Sequence, residues 1–117
     1  MNNKHKENVI DLEYYRAKEG DRISKVFTGR DRGRYVREKS RLDEIEQQYD
    51  TISIVIPKNI YSINPSFLEE LLVNVVTKLG KEKFFKKFNF SSEGDYSYEK
   101  PLYEAIDRIL RNKTALE

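Results

Sequence analysis

The run Thr51-Ile52-Ser53-Ile54-Val55-Ile56 is β-branched at five of its six positions, carries no charge, and stops at Pro57. Such a run suits an interior strand of a sheet covered on both faces. Pro57 has no amide hydrogen to give the next rung, so the ladder ends there. A few residues later Phe67, Leu68, Leu71, Leu72, Val75, Val76 and Leu79 recur at alternating steps of one and three. That spacing keeps one face of a 3.6-residue helix apolar, with Gly80 as its stop. Glu69, Glu70, Asn74 and Lys78 fall on the opposite, polar face. Two overlapping start signals precede the helix. Either Asn64 caps it with Pro65 in the first position and Ile63 stapled to Leu68, or Ser66 caps it and Glu69 closes a capping box. Strand, link and helix form the unit on which the rest of the chain packs.

The run SIVIPKNIYSINPSFLEELL, preceded by FTGRDRGRYVREKSRLDEI and followed by KEKFFKKFNFSS, resembles the STAS-like domains, small bacterial and phage-encoded domains. The resemblance spans roughly Val26 to Leu110. Its most specific pieces are Gly29-Arg30 with Gly33, and Ser66-Phe67-Leu68-Glu69-Glu70. It implies a mixed sheet of about four strands with three main helices packed on it, an α/β fold. In the related anti-sigma-factor antagonists a serine at the start of the helix after the central strand is phosphorylated by a kinase with a histidine-kinase-type ATP site. Those proteins carry Asp-Ser-Ser-Gly-Leu where this chain has Asn64-Pro65-Ser66-Phe67-Leu68. Ser66 thus matches the second serine, and Pro65 takes the usual acceptor position. Phosphate on Ser66 would place about two negative charges beside a positive helix terminus.

At 117 residues the chain is sized for one domain. We expect an N-terminal arm or first strand over 1–21, one STAS-like domain over 22–112, and a tail over 113–117. Charged residues make up 36% and hydrophobic ones 38%, and the apolar positions cluster periodically, so the chain folds rather than staying disordered. The absence of cysteine excludes disulfides and thiol chemistry and fits a reducing cytoplasm. No apolar run reaches membrane-span length and no signal-peptide core opens the chain, so a cytoplasmic protein is expected. The net charge of +2 hides a segregation: residues 22–41 hold eight basic and two acidic side chains. An anionic partner would meet that segment.

Taken in order, residues 1–8 are polar and read as frayed. Val9 to Tyr15 reads as a first strand or a short helix, with a strand or extended arm preferred, and Ile23 to Thr28 as a short edge strand. Gly29 to Arg34 reads as a glycine-bracketed basic loop lacking the Gly-Lys-Ser/Thr ending of a P-loop. Tyr35 to Tyr49 reads as one helix with Tyr35, Val36, Leu42, Ile45 and Tyr49 inward. Lys81 to Lys86 is a short helical piece, Phe88 and Phe90 alternate as in a half-covered strand, and Pro101 opens a last helix with Leu102, Ile106, Ile109 and Leu110 inward. The tyrosines of the 96–103 loop suit the edge of the core.

Chemistry is sparse. His5 is the single histidine, too few for a triad or a multi-histidine metal site. Glu69 and Glu70 diverge by about 100° around a helix, poor geometry for a shared acid/base pair. We expect no catalytic residues, no cofactor and no metal. The expected function is a non-enzymatic regulatory module binding a partner protein through Asn64, Ser66 and Glu69 at the helix start and Arg30, Arg32, Arg34 and Arg37 in the basic segment 29–37. The resemblance suggests a kinase-like ATPase as partner. A phage-encoded inhibitor of a host defence complex belongs to the same binding class. The alternative is nucleic-acid binding through Arg30, Arg32, Arg34, Arg37 and Arg41, with Tyr35 and Tyr49 as stacking groups and salt-sensitive affinity.

Overall fold

The β-branched run does form a central strand. In a computed structural model that describes residues 7–116, and side chains as far as residue 113, it spans Ile52–Ile56. The elements in chain order are β1 (Val9–Asp11), a short 3-10 helix (Leu12–Tyr15), β2 (Lys18–Glu19), β3 (Arg22–Ile23), β4 (Val26–Phe27), α1 (Arg30–Ser40), α2 (Leu42–Gln48), β5 (Ile52–Ile56), β6 (Ser62–Ile63), α3 (Pro65–Lys87), β7 (Phe88–Ser92) and α4 (Glu99–Leu116). Strand β5 lies between β1 and β7, parallel to both, with Ile54 opposite Ile10 and Phe90.

One mixed sheet of about four strands is not what forms. Among the described residues the strands divide into three separate small sheets: parallel β1-β5-β7, the antiparallel hairpin β2-β3, and parallel β4-β6. The expected edge strand Ile23 to Thr28 is split. Ser24 turns its hydroxyl onto Val26, accepting from the amide at 3.2 Å and donating to the carbonyl at 2.9 Å, so the chain leaves one sheet before it joins another. Nor are there three main helices but, among the described residues, four. The predicted helix 35–49 breaks at Arg41, which adopts the left-handed conformation (φ 59°, ψ 39°), its amide closing on the carbonyls of Arg37 and Glu38.

Burial along β5 alternates rather than being complete. Ile52, Ile54 and Ile56 are buried, whereas Ser53 and Val55 are half-covered, so one face of the strand lies in the core and the other is only partly covered. The core gathers these isoleucines with Ile10, Leu12, Phe67, Leu71, Leu72, Phe84, Phe88, Leu102 and Ile106. Helix α3 lies between α1 and α4. Its apolar positions from Phe67 to Val76 are buried as the spacing predicts, with Leu79 half-buried.

The two start signals resolve in favour of Asn64. Its Oδ1 accepts the Ser66 amide and the Ser66 hydroxyl, both at 2.8 Å, and Pro65 occupies the first helical position. Glu69 closes no capping box; it turns to arginines of the neighbouring helices. Gly80 interrupts α3 with φ 79° and ψ 171°, and a short second segment then carries Phe84 and Phe85 into β7. Tyr96 and Tyr98 lie at the edge of the core, hydrogen bonded to Ile63 and to the Phe90 carbonyl. The expected tail is helical to Leu116, while His5 and most of the expected frayed segment lie outside the described residues.

Candidate functional site

The region that sequence reading assigns to a basic loop is the first turn of a helix. Gly29 (φ 90°, ψ 148°) precedes it and Arg30 begins it, so Arg30, Arg34 and Arg37 fall at steps of four and three on one face of α1. Gly33 lies inside the helix for a packing reason. A Cβ there would stand 2.5 Å from the Phe67 carbonyl oxygen, 2.9 Å from Glu70 Cβ and 3.2 Å from the Leu71 amide nitrogen. The backbones of α1 and α3 therefore cross in near contact at Gly33, which brings the arginine face onto the first turns of α3.

The arrangement has a second origin in β4 and β6. These strands pair in parallel, Val26 opposite Ser62 and Phe27 opposite Ile63. Each runs within three residues into a helix, α1 after β4 and α3 after β6. The Asn64 amide donates to the Phe27 carbonyl at 2.8 Å, and the Phe27 and Phe67 rings approach to 5.1 Å. Both helices thus start from the same end of one small sheet.

Around this crossing four arginines share two carboxylates. Glu69, only 5% exposed, accepts from Arg108 of α4 at 3.2 Å and faces Arg30 at 3.6 Å. Glu70 pairs with Arg37 at 3.3 Å and faces Arg30 at 3.8 Å and Arg34 at 3.9 Å. Arg37 also donates to the Glu70 carbonyl oxygen. Arg30 and Arg34 keep more than half of their side-chain surface in solvent, and their ion-pair distances exceed hydrogen-bond length. Their guanidinium donors therefore remain open to a further acceptor.

Of the sequence-predicted residues, Asn64, Ser66, Glu69, Arg30, Arg34 and Arg37 share this region. Arg32 does not join the ion-pair cluster. It lies over the Tyr35 ring, 4.6 Å from its centroid, and reaches the Tyr15 carbonyl at 3.5 Å. Tyr35 points outward, 43% exposed, where sequence reading turns it inward. Arg41 pairs with Glu44 at 2.6 Å, which raises the guanidinium pKa and lowers that of the carboxyl, chiefly through their hydrogen bond. Ser66 is half-buried in the first turn of α3.

Sequence reading misses three features. Glu69 is buried instead of solvated, because α4 covers the side of α3 that periodicity assigns to water. Arg108, on that covering helix, is Glu69's hydrogen-bond partner. Glu46 of α2 is 2% exposed and accepts from Lys78 and Lys87, each at 2.8 Å, so one buried carboxylate ties α2 to both sides of the Gly80 kink. A stripe at i, i+4, i+7 through Arg30, Arg34 and Arg37 was visible in the sequence, but only to a reading that extends the helix back through Gly33.

No family model, curated protein or solved structure matches this chain. The fold is a small globular α/β domain with buried salt bridges. Among the described residues no group of three or more His, Asp or Glu side chains is placed to hold a metal ion, and no helix is long and apolar enough to cross a membrane.

Proposed function

We propose that this chain is a regulatory binding module without catalysis of its own, engaging a partner protein through the first turns of α3 and the arginine face of α1. One observation carries the reading: Arg30 and Arg34, exposed and with no side-chain hydrogen bond to another described residue, face Glu69 and Glu70, about one turn along α3 from half-exposed Ser66. Open guanidinium forks of this kind match carboxylates in a bidentate manner, so the partner surface is acidic. The likeness of Gly29-Arg30, Gly33 and the Ser66 to Glu70 stretch to STAS-like domains supports the same face, and by that likeness the partner is a kinase-like ATPase or a host defence complex.

Ser66 is the residue on which a phosphate switch would act. Its hydroxyl is spent on Asn64, and phosphate there would meet Arg30 and the helix terminus, closing the face to an acidic partner. Nucleic-acid binding through the same arginines is the less favoured reading, because Arg37 and Arg41 are committed to Glu70 and Glu44.

The test is capture from the native host on immobilised protein, with mass spectrometry of what is retained. Arg30→Glu together with Arg34→Glu is expected to lose the partner that wild type and Arg41→Glu retain. Equal retention by all three would sink the reading. For the switch, ATP-dependent labelling by the captured partner is expected in wild type and absent in Ser66→Ala.

A further inference from the structure

A cleft of about 340 Å³ opens between α3 and α4. Its wall on α3 is the stripe Glu69, Val73, Thr77, and its wall on α4 is formed by Ile109 and Lys113, with Arg30 reaching over the rim from α1. The interior surface is mainly carbon. Ile109 is buried and Val73 partly so, both packed against the core. The volume lies at the lower end of the range for small-molecule sites.

Each end of the cleft carries a cation, and only one end carries carboxylates. Lys113 donates to the Thr77 carbonyl at 3.0 Å, three residues before the interruption of α3 at Gly80, so part of its donor capacity is used. At the other end the carboxylates that face Arg30 have other partners: Glu69 has Arg108 at 3.2 Å, and Glu70 has Arg37 at 3.3 Å. Arg30 faces both acids at 3.6 and 3.8 Å without a hydrogen bond to either, so its guanidinium keeps donors for a further acceptor. A head group docking on it lies close to Glu69 and Glu70, which favours a single negative charge over a doubly charged phosphate.

We propose that this cleft binds a small aliphatic monocarboxylate of about ten non-hydrogen atoms, its head on Arg30 and its chain along Val73 and Ile109 toward Thr77. The inference does not rest on the partner reading above, since its apolar walls lie deeper along α3 than the cap and the serine.

The test uses the full chain and octanoate below its micelle concentration, followed by two-dimensional NMR of the ¹⁵N-labelled protein, with octanol as the uncharged comparison. Saturable shifts are expected at the amides of residues 69–77 and 109–113. Octanol is expected to bind at least tenfold more weakly. Arg30→Gln is expected to weaken octanoate about tenfold, in keeping with loss of a charge-assisted hydrogen bond, and to leave octanol unchanged. Val73→Phe, at a partly buried position on the cleft wall, is expected to abolish both while the spectrum stays dispersed. No saturable shift up to millimolar octanoate would overturn the proposal, as would octanol binding as tightly as octanoate, or shifts that survive Val73→Phe.

Discussion

Gly33 and Glu46 show how much a single position decides in this chain. Inside a helix, glycine ordinarily costs about 0.5–1 kcal/mol relative to alanine, so a Gly→Ala change there is usually stabilising. At Gly33 the sign reverses, because the added methyl would meet backbone atoms of α3 at 2.5 Å and neither helix can yield locally. We expect Gly33→Ala to lower stability by about 1–3 kcal/mol, read from the midpoint of urea unfolding. Glu46 makes a pH-dependent contribution. Burial pushes its carboxyl pKa up, but the hydrogen bonds and charges of Lys78 and Lys87 outweigh burial and hold it below the ordinary carboxylate value. Its contribution is therefore fully present above that value, at about pH 4.3 and beyond, and is lost as pH falls through the lower folded-state pKa. Glu46→Gln should cost about 2 kcal/mol at neutral pH, less than a fully enclosed ion pair would because Lys78 is half in solvent. The gap to wild type should narrow as the pH is taken down through the acid range, and a constant gap would show that the pairing does not carry the effect.

Among the elements, α3 was the most legible and α1 the least, and one cause explains both. The apolar spacing of α3 from Phe67 to Leu79 is regular, and Pro65 and Gly80 mark where it starts and breaks. The first half of α1 and the residue before it carry two glycines and three arginines, a composition that reads as loop, because the packing that makes it helical comes from α3, more than thirty residues away. Glu69 went unread for the same kind of reason: a helix periodicity shows which side is apolar, but not that a second helix will cover an acidic one. The sheet was overestimated, since two-residue strands such as β2, β3, β4 and β6 leave almost no alternation to read. The break in α3 is itself testable. Gly80 occupies a backbone region essentially closed to other residues, and a methyl added there would find nothing within 4 Å, so the cost of replacement is conformational alone. Gly80→Ala should destabilise by about 1–3 kcal/mol. The loss should be accompanied by changed NMR shifts at Phe84 and Phe88, whose stacked rings depend on the angle at which the chain enters β7.

On the scale of the whole molecule, the segregation of charge in the sequence is partly undone by folding. The eight basic residues of 22–41 look like one positive field, yet Glu69, Glu70 and Glu44 are brought onto Arg30, Arg34, Arg37 and Arg41. Arg22, Lys25 and Lys39 of the same segment are exposed as well, but on the face where α1 meets α3 what remains open is a narrow patch at Arg30 and Arg34, suited to a few carboxylates and poor for tracking a phosphate backbone. Binding to a mixed-sequence 20-nucleotide DNA or RNA should accordingly be weak at 50 mM salt and vanish at 200 mM. Tight binding with a slope that falls when Arg30, Arg34 and Arg37 are replaced by Ala would return the nucleic-acid reading to first place.

The near contact at Gly33 also acts as a gauge of kinship. A distant sequence could exchange the arginines and both acids and keep an apolar core of other residues, yet to hold the two helices at this distance it must leave one helix bare at the point where the other passes. A candidate relative bearing valine or leucine there has its helices set apart, and with them the spacing between the two chain starts on which any shared recognition face would depend.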